Sequence, residues 1–207
     1  MPLRYQMYGG KLRRLPVSEK KTAGGAYFPF PCYNTFAARL APGRPSPSPG
    51  KEKTMKRILF VCHGNICRSP MGEFIFKDLV RQAGLEDQFE VQSAATSREE
   101  LGNPVYPPAR RELGKHGIDC AGKTARQLTR EDYRRFDLLI GMDRENLWNM
   151  QRLFGRDPQQ KLHLLMDFTC RPGEVADPWY SGDFSTAWKD ILEGCQGLLA
   201  HLTGEEG

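Results

Sequence analysis

Residues 55–207 are predicted to fold as an α/β unit: an open, parallel, four-stranded sheet with helices on both faces, three layers in all. Three observations lead there. Short apolar runs rich in strand formers alternate with segments of helical period, and Gly, Pro, Asn or Asp punctuate the joins. The chain of 207 residues holds one domain with a full core and would cramp a second.

Residues 1–54 stand apart. They hold eight of the fifteen prolines, include Pro42-Gly-Arg-Pro-Ser-Pro-Ser-Pro-Gly50, and sustain a period of neither two nor 3.6. This composition reads as a disordered basic extension. Organellar targeting is the weaker reading, because no clean amphipathic helix is present, and Met55 is a candidate start.

From Met55 the character changes. Ile58-Leu59-Phe60-Val61 reads as a strand buried on both faces. Ser69 to Gly84 then carries a capping residue, a proline in the first turn, apolar residues at helical spacing and a closing glycine. Phe89 to Ser93 is the second strand, Pro107 to Gly117 a helix, and Phe136 to Gly141 the third strand. Arg144 to Phe154 is a helix, Lys161 to Met166 the last strand, and Phe184 to Leu202 the closing helix. In an open parallel sheet the ligand site lies at the carboxyl ends of the strands, where the loop after Val61 falls.

The net charge of +5 is unevenly spread: residues 1–54 carry ten Lys/Arg against two acids (+8), leaving 20 against 23 (−3) beyond them. The folded part therefore lacks the basic footprint that nucleic-acid binding calls for. Six scattered cysteines in a chain of this length suit a reducing cytoplasm better than a disulfide framework. No window approaches eighteen apolar residues, so no membrane insertion is expected.

The loop Cys62-His63-Gly64-Asn65-Ile66-Cys67-Arg68-Ser69 carries the chemistry. A cysteine ending a buried strand, followed by five residues, an arginine and a helix start, lets successive amides converge on one anion site. Those amides and the positive helix end also stabilise a thiolate, making Cys62 a nucleophile. The planar fork of Arg68 matches two equatorial oxygens of a transferring phosphoryl group. Gly64 permits close approach of backbone to ligand, and Asn65 tolerates positive φ. Ser69 is both a candidate cap and a hydroxyl aimed at the Cys62 sulfur. A leaving oxygen still needs a proton, and Asp177-Pro178-Trp179-Tyr180 offers it: Asp177 as general acid then base, Trp179 and Tyr180 as walls for a flat ring. The bare Cys-x5-Arg-Ser spacing is a weak signal; the strand before, the helix after and the later Asp-Pro-aromatic-aromatic loop strengthen it.

With these residues in view, the sequence resembles the bacterial-type low-molecular-weight protein tyrosine phosphatases from Met55 to about Leu202. Val61 to Pro70 looks like their signature and Asp177 to Tyr180 like their acid loop. Ser93-Ala-Ala-Thr-Ser97, Gly102-Asn-Pro104, His116-Gly-Ile118, Ala125-Arg-Gln-Leu128 and Phe136-Asp137…Met142-Asp143 support it. The resemblance implies a flavodoxin-like fold, a phosphocysteine intermediate on Cys62, no metal and no cofactor. It implies phosphotyrosine-containing proteins, a tyrosine kinase among the candidates, as substrates, and inorganic phosphate as product. It also implies that Asn65 and Ser93 hold the loop in shape and that Cys67 forms a protective disulfide with Cys62 under oxidation.

Three positions depart from the pattern. His63 fills a wall position more often apolar and bears on specificity, Lys123 stands where relatives often have a histidine bracing the loop asparagine, and Glu99 stands where some animal members carry an aromatic. Relatives acting on phosphoarginine have threonine in place of Ile66, and related arsenate reductases need a further close cysteine pair absent between Cys120 and Cys170, so phosphotyrosine is favoured. A non-catalytic phosphate-binding module and a flavin carrier are the remaining readings. Without the family, Cys67 is helix packing or a redox switch. Cys120, Cys170 and Cys195 are structural, Trp148 and Trp188 belong to the core or a surface groove, and His163 is a solvent-facing or satisfied strand residue.

Overall fold

The computed structural model describes residues 5–8, 11–14 and 55–204. The chain divides into two units, Met1–Arg44 and Pro45–Gly207. In the first, β1 (Tyr5–Tyr8) pairs antiparallel with β2 (Lys11–Arg14), Tyr8 opposite Lys11. The rest of the disorder expected for residues 1–54 lies outside the described residues.

In the second unit β3 (Lys56–Cys62) is central, flanked by β4 (Phe89–Ala95) and β5 (Leu138–Gly141), with β6 (Leu162–Leu164) beyond β5. All pairings are parallel, in the order β4-β3-β5-β6. The chain moves from β3 to one side and then returns to the other, so the order reverses at β3. The crevice of such a sheet opens at the carboxyl end of the strand where the reversal occurs, and here that end is Cys62.

Side chains alternate along a strand, which is why β3 faces two cores. Ile58 and Phe60 join the core beneath α1 (Arg68–Gln82), α2 (Pro107–Lys115) and α6 (Phe184–Thr203). Leu59 and Val61 join the opposite one, with Leu139 and Phe136 and with Met150 of α4 (Arg144–Phe154). α1 lies so close to β3 that a Cβ on Gly72 would come within 2.9 Å of the Phe60 ring. At Gly197 a Cβ would stand 1.9 Å from the Phe168 carbonyl oxygen, so α6 requires glycine there. The observed architecture is the three-layer, four-stranded parallel α/β sheet read from the sequence.

Several boundaries differ from that reading. α1 begins at Arg68, with Cys67 as its cap residue, so Ser69 lies inside the first turn rather than capping the helix. Phe136 does not open a strand: its N–H closes the helix α3 (Arg130–Arg135), which the sequence reading passed over, and β5 starts two residues later. α2 stops at Lys115, with Gly117 at φ 74° turning the chain. The last strand ends at Leu164, where the Asp167 carboxylate accepts from the Leu164 N–H at 3.1 Å and winds Leu165–Phe168 into a 3-10 turn. Trp188 is buried and stacked on His116 at 3.8 Å, while Trp148 is exposed. The His163 ring meets that of Phe168 edge-on. Cys120 and Cys195 are buried as expected of structural thiols, whereas Cys170 is exposed.

Candidate active site

The loop from Cys62 to Arg68 is held by its carbonyls. Thr96 and Ser97 N–H donate to the Cys62 and His63 carbonyls, and Tyr106 N–H to that of Ile66, each at 2.9 Å. Met71 N–H takes the Cys67 carbonyl at 3.2 Å. Among the described residues none accepts a hydrogen bond from the amides of Gly64 to Arg68. Carbonyls engaged by the frame and amides kept for a ligand make an anion cradle, and the N-terminus of the fifteen-residue α1 adds its dipole. Asn65 adopts φ 55°, the left-handed turn expected of it.

A buried hydrogen-bond web fixes the cradle. The Cys62 sulfur lies 3.0 Å from Ser69 Oγ. Asn65 Nδ2 donates to Ser69 Oγ at 2.9 Å and to Ser93 Oγ at 2.8 Å, while Asn65 Oδ1 accepts from Arg126 N–H at 3.1 Å. Ser93 donates to Glu73 Oε2 at 2.6 Å. Glu73, only 4 % exposed, is ion-paired with Lys123 at 3.0 Å and with Lys77. Lys123 also donates to the Ser93 carbonyl at 3.2 Å. Burial opposes a charge on Glu73, but Lys123, Lys77 and the Ser93 hydroxyl outweigh it and hold the carboxyl below its ordinary range. Burial draws Lys123 down, with Glu73 opposing. Cys67 sits buried near Cys62; desolvation, then Cys62, pushes its thiol up to about 12.

Arg68 is 3 % exposed and held by two carboxylates, each at 2.7 Å: Nη1 on Asp143 Oδ2 and Nη2 on Asp177 Oδ2. Burial works against its charge, but Cys62, Asp143 and Asp177 raise its affinity for the proton further. Asp143 also accepts from Asn146 N–H at 2.7 Å through its other oxygen, capping α4. Asp177 caps α5 (Pro178–Ser181) by accepting from Trp179 N–H at 3.0 Å. The Trp179 ring lies 5.2 Å from that of Tyr106 and is 53 % exposed; Tyr180 is 88 % exposed. On the rim, His63 Nε2 and Glu99 Oε2 meet at 3.0 Å.

The structure thus brings Cys62, Arg68, Asp177, Asn65, Ser69 and Ser93 together as anticipated. Sequence reasoning missed four contributors: Asp143, Glu73, Tyr106 and the Arg126 amide. Asp143 carried the signal of a helix cap ahead of Arg144-Glu-Asn146. Glu73 lies on α1, where the sequence reading gave it no role. Lys123, noted as a departure, still serves the web through Glu73. Among the described residues no three His, Cys, Asp or Glu side chains gather as a metal ion requires, and no helix is long and apolar enough to cross a membrane.

Residues 57–206 match the family model described as low molecular weight phosphotyrosine protein phosphatase. The low molecular weight protein-tyrosine-phosphatase YfkJ of Bacillus subtilis is 37% identical over 154 residues, 73% of this chain and 99% of the relative. Its crystal structure superposes with a TM-score of 0.71 at 36% identity, covering 77% of this chain and 100% of that one. The human low molecular weight phosphotyrosine protein phosphatase is 35% identical over 153 residues, 72% of this chain and 96% of the relative. A structure described as DARP, drosophila arginine phosphatase, matches with a TM-score of 0.65 at 33% identity, covering 72% of this chain and 98% of that one.

Proposed function

The chain belongs to the low molecular weight protein tyrosine phosphatases and is an enzyme of that type, and from this premise we propose which of its residues carry out phosphotyrosine hydrolysis. The Cys62 thiolate attacks phosphorus as the bond from phosphorus to the tyrosyl oxygen breaks. Arg68 and the amides of Gly64 to Arg68 bind the three non-bridging oxygens, and Asp177, protonated, gives its proton to the leaving phenoxide. Phosphocysteine forms on Cys62. Water then attacks it, the Asp177 carboxylate takes the water's proton, and inorganic phosphate leaves as the thiolate returns to its hydrogen bond with Ser69.

One observation carries this reading: two segments 109 residues apart meet where Arg68 Nη2 and Asp177 Oδ2 lie 2.7 Å from each other. The phosphoryl-binding group and the proton donor are thereby gathered at the loop that bears the nucleophile. Trp179, Tyr180 and His63 at the rim are the residues to contact the rest of the substrate. Ile66 favours phosphotyrosine, because relatives that act on phosphoarginine are similar except for a threonine there. Under peroxide, a Cys62 sulfenic acid condensing with the Cys67 thiol would release water and form the protective disulfide. A cytoplasmic setting, residues 1–54 as an extension, residues 55–207 as the catalytic domain, and a tyrosine kinase as substrate belong to the same proposal.

The test is steady-state hydrolysis of phosphotyrosine, phosphoserine and phosphoarginine by freshly reduced enzyme in EDTA. Turnover of phosphotyrosine that falls by more than ~10⁴-fold in Cys62→Ser supports the assignment. Preference for phosphoarginine would overturn the substrate; phosphate binding without turnover of any of the three would leave a binding module.

A further inference from the structure

At rest the Asp177 carboxylate has two donors: Arg68 Nη2 on Oδ2 at 2.7 Å, and the Trp179 N–H of its own loop on Oδ1 at 3.0 Å. The first cannot hold it through the reaction. An acid that gives a proton to the leaving oxygen is neutral beforehand, so its attraction to the guanidinium falls away, and a phosphoryl group in the loop claims the Arg68 donors for its own oxygens. The Trp179 end of the loop must then keep Asp177 in place. Trp179 is 53 % exposed, and the ring of Tyr106 lies against its indole, 5.2 Å away and tilted by 53°. Tyr106 is itself tied down. Its N–H donates to the Ile66 carbonyl of the phosphate loop at 2.9 Å, and its carbonyl accepts from the Arg110 N–H of α2 at 3.0 Å. Pro107 after it confines its backbone to the extended region it adopts, φ −54° and ψ 133°. Its half-buried ring also meets that of Phe184, 6.0 Å away at the start of α6.

We propose that Tyr106 is a positioning residue for the general acid: its ring braces Trp179 and so holds the Asp177 carboxyl at the cradle once the ion pair with Arg68 is released. The proposal rests on Asp177 being the acid. Tyr106 acts through Trp179, whose amide is the donor that Asp177 keeps when Arg68 turns to the phosphoryl oxygens. Because its backbone is bonded to the phosphate loop and its ring to the acid loop, it sets the spacing between the two. The ring is what matters. Tilted aromatic pairs favour a narrow range of geometries, which an aliphatic contact of equal area does not.

The test compares kcat/KM for phenyl phosphate and p-nitrophenyl phosphate, a ratio that reads stabilisation of the transition state leading to phosphocysteine. Phenoxide needs the acid's proton to leave, whereas p-nitrophenolate leaves nearly unaided. Tyr106→Ala is expected to lower kcat/KM about tenfold for phenyl phosphate and less than about twofold for p-nitrophenyl phosphate, as a misplaced proton donor does. Tyr106→Phe keeps the ring and restores the wild-type ratio. Both variants keep the N–H that bonds Ile66, so loss of that bond does not enter. A role confined to packing lowers the two substrates together. Trp179→Ala removes the other half of the contact at an exposed position, so it serves even where Tyr106→Ala folds poorly, and it must show the same split. Adding Tyr106→Ala to it must not widen that split, since both remove one contact. The proposal is overturned if either Ala variant lowers the two substrates equally or not at all, if the double variant widens the split, or if Tyr106→Phe behaves as Tyr106→Ala. If the wild type hydrolyses neither ester, the enzymatic reading of the site fails and this inference falls with it; turnover without the split strikes this inference alone.

Discussion

The phosphate loop and the acid loop meet at Arg68, yet they are held in opposite ways. The first is sealed: Asn65, Ser69, Ser93 and Glu73 are all buried, and four of the loop's carbonyls are engaged by the frame. The second lies at the surface, with Trp179 and Tyr180 exposed. It is anchored by Val175 N–H on the Met142 carbonyl at 2.9 Å, Ala176 N–H on Asp190 at 3.2 Å, and Asp177 on Arg68. A group that must bind developing negative charge works best when its dipoles are fixed before the reaction. A group that passes a proton to a departing product and then to water needs access to both, and an exposed loop supplies it.

This contrast can be broken by substitution. The largest expected effect is at the acid: Asp177→Asn should lower kcat for phosphotyrosine by about 10²- to 10³-fold, the usual worth of a positioned proton donor. Its effect on p-nitrophenyl phosphate, whose leaving group needs little protonation, should be much smaller. Equal losses on the two substrates would mean that Asp177 orients Arg68 instead of donating a proton. Next, Asp143→Ala frees one side of the guanidinium and uncaps α4. We expect kcat/KM to fall about tenfold, as misplacing a binding group does, and the unfolding free energy to fall by about 1 kcal/mol from the lost cap, read by chemical denaturation.

The cradle itself should respond in stability as well as rate. Asn65→Ala leaves Ser93 Oγ and the Arg126 amide without their partner in a buried site and puts a Cβ-bearing residue at positive φ without a polar side chain; about 1–3 kcal/mol of stability should be lost. The smallest effect belongs to the rim, where Glu99→Ala removes an exposed pair with His63 and should shift stability by no more than about 0.5 kcal/mol. A larger change there would show that the rim is built into the cradle, and the line between sealed and open regions would need redrawing.

Much of this was legible before any coordinates. The apolar run 58–61 announced a strand with two buried faces, and the Gly64-Asn65 pair announced a tight turn, since only such residues enter the left-handed region cheaply. Asp177 before Pro178 was visible as a fixed carboxylate. Other features were hidden by chemistry that local sequence does not encode. Of the two readings of Ser69, the hydroxyl at the Cys62 sulfur holds and the helix cap does not, because α1 begins one residue earlier, at Arg68. Phe136 looked like strand, but a hydrogen bond back to Asp132 kept it with the preceding helix.

By itself, then, the sequence determined the four strands of the parallel sheet and most of the helices between them, the loop that bears Cys62 and Arg68, and the candidate acid, because periodicity and backbone preference act over a few residues. Only the tertiary structure decided that Asp143 and Asp177 clamp one arginine, that Glu73 accepts from Ser93, and that Lys123 pairs with Glu73. Those partners lie 20 to 109 residues apart in the chain. What joins them is the parallel sheet, which brings the segments following β3, β4, β5 and β6 to its carboxyl end, where their polar groups find one another.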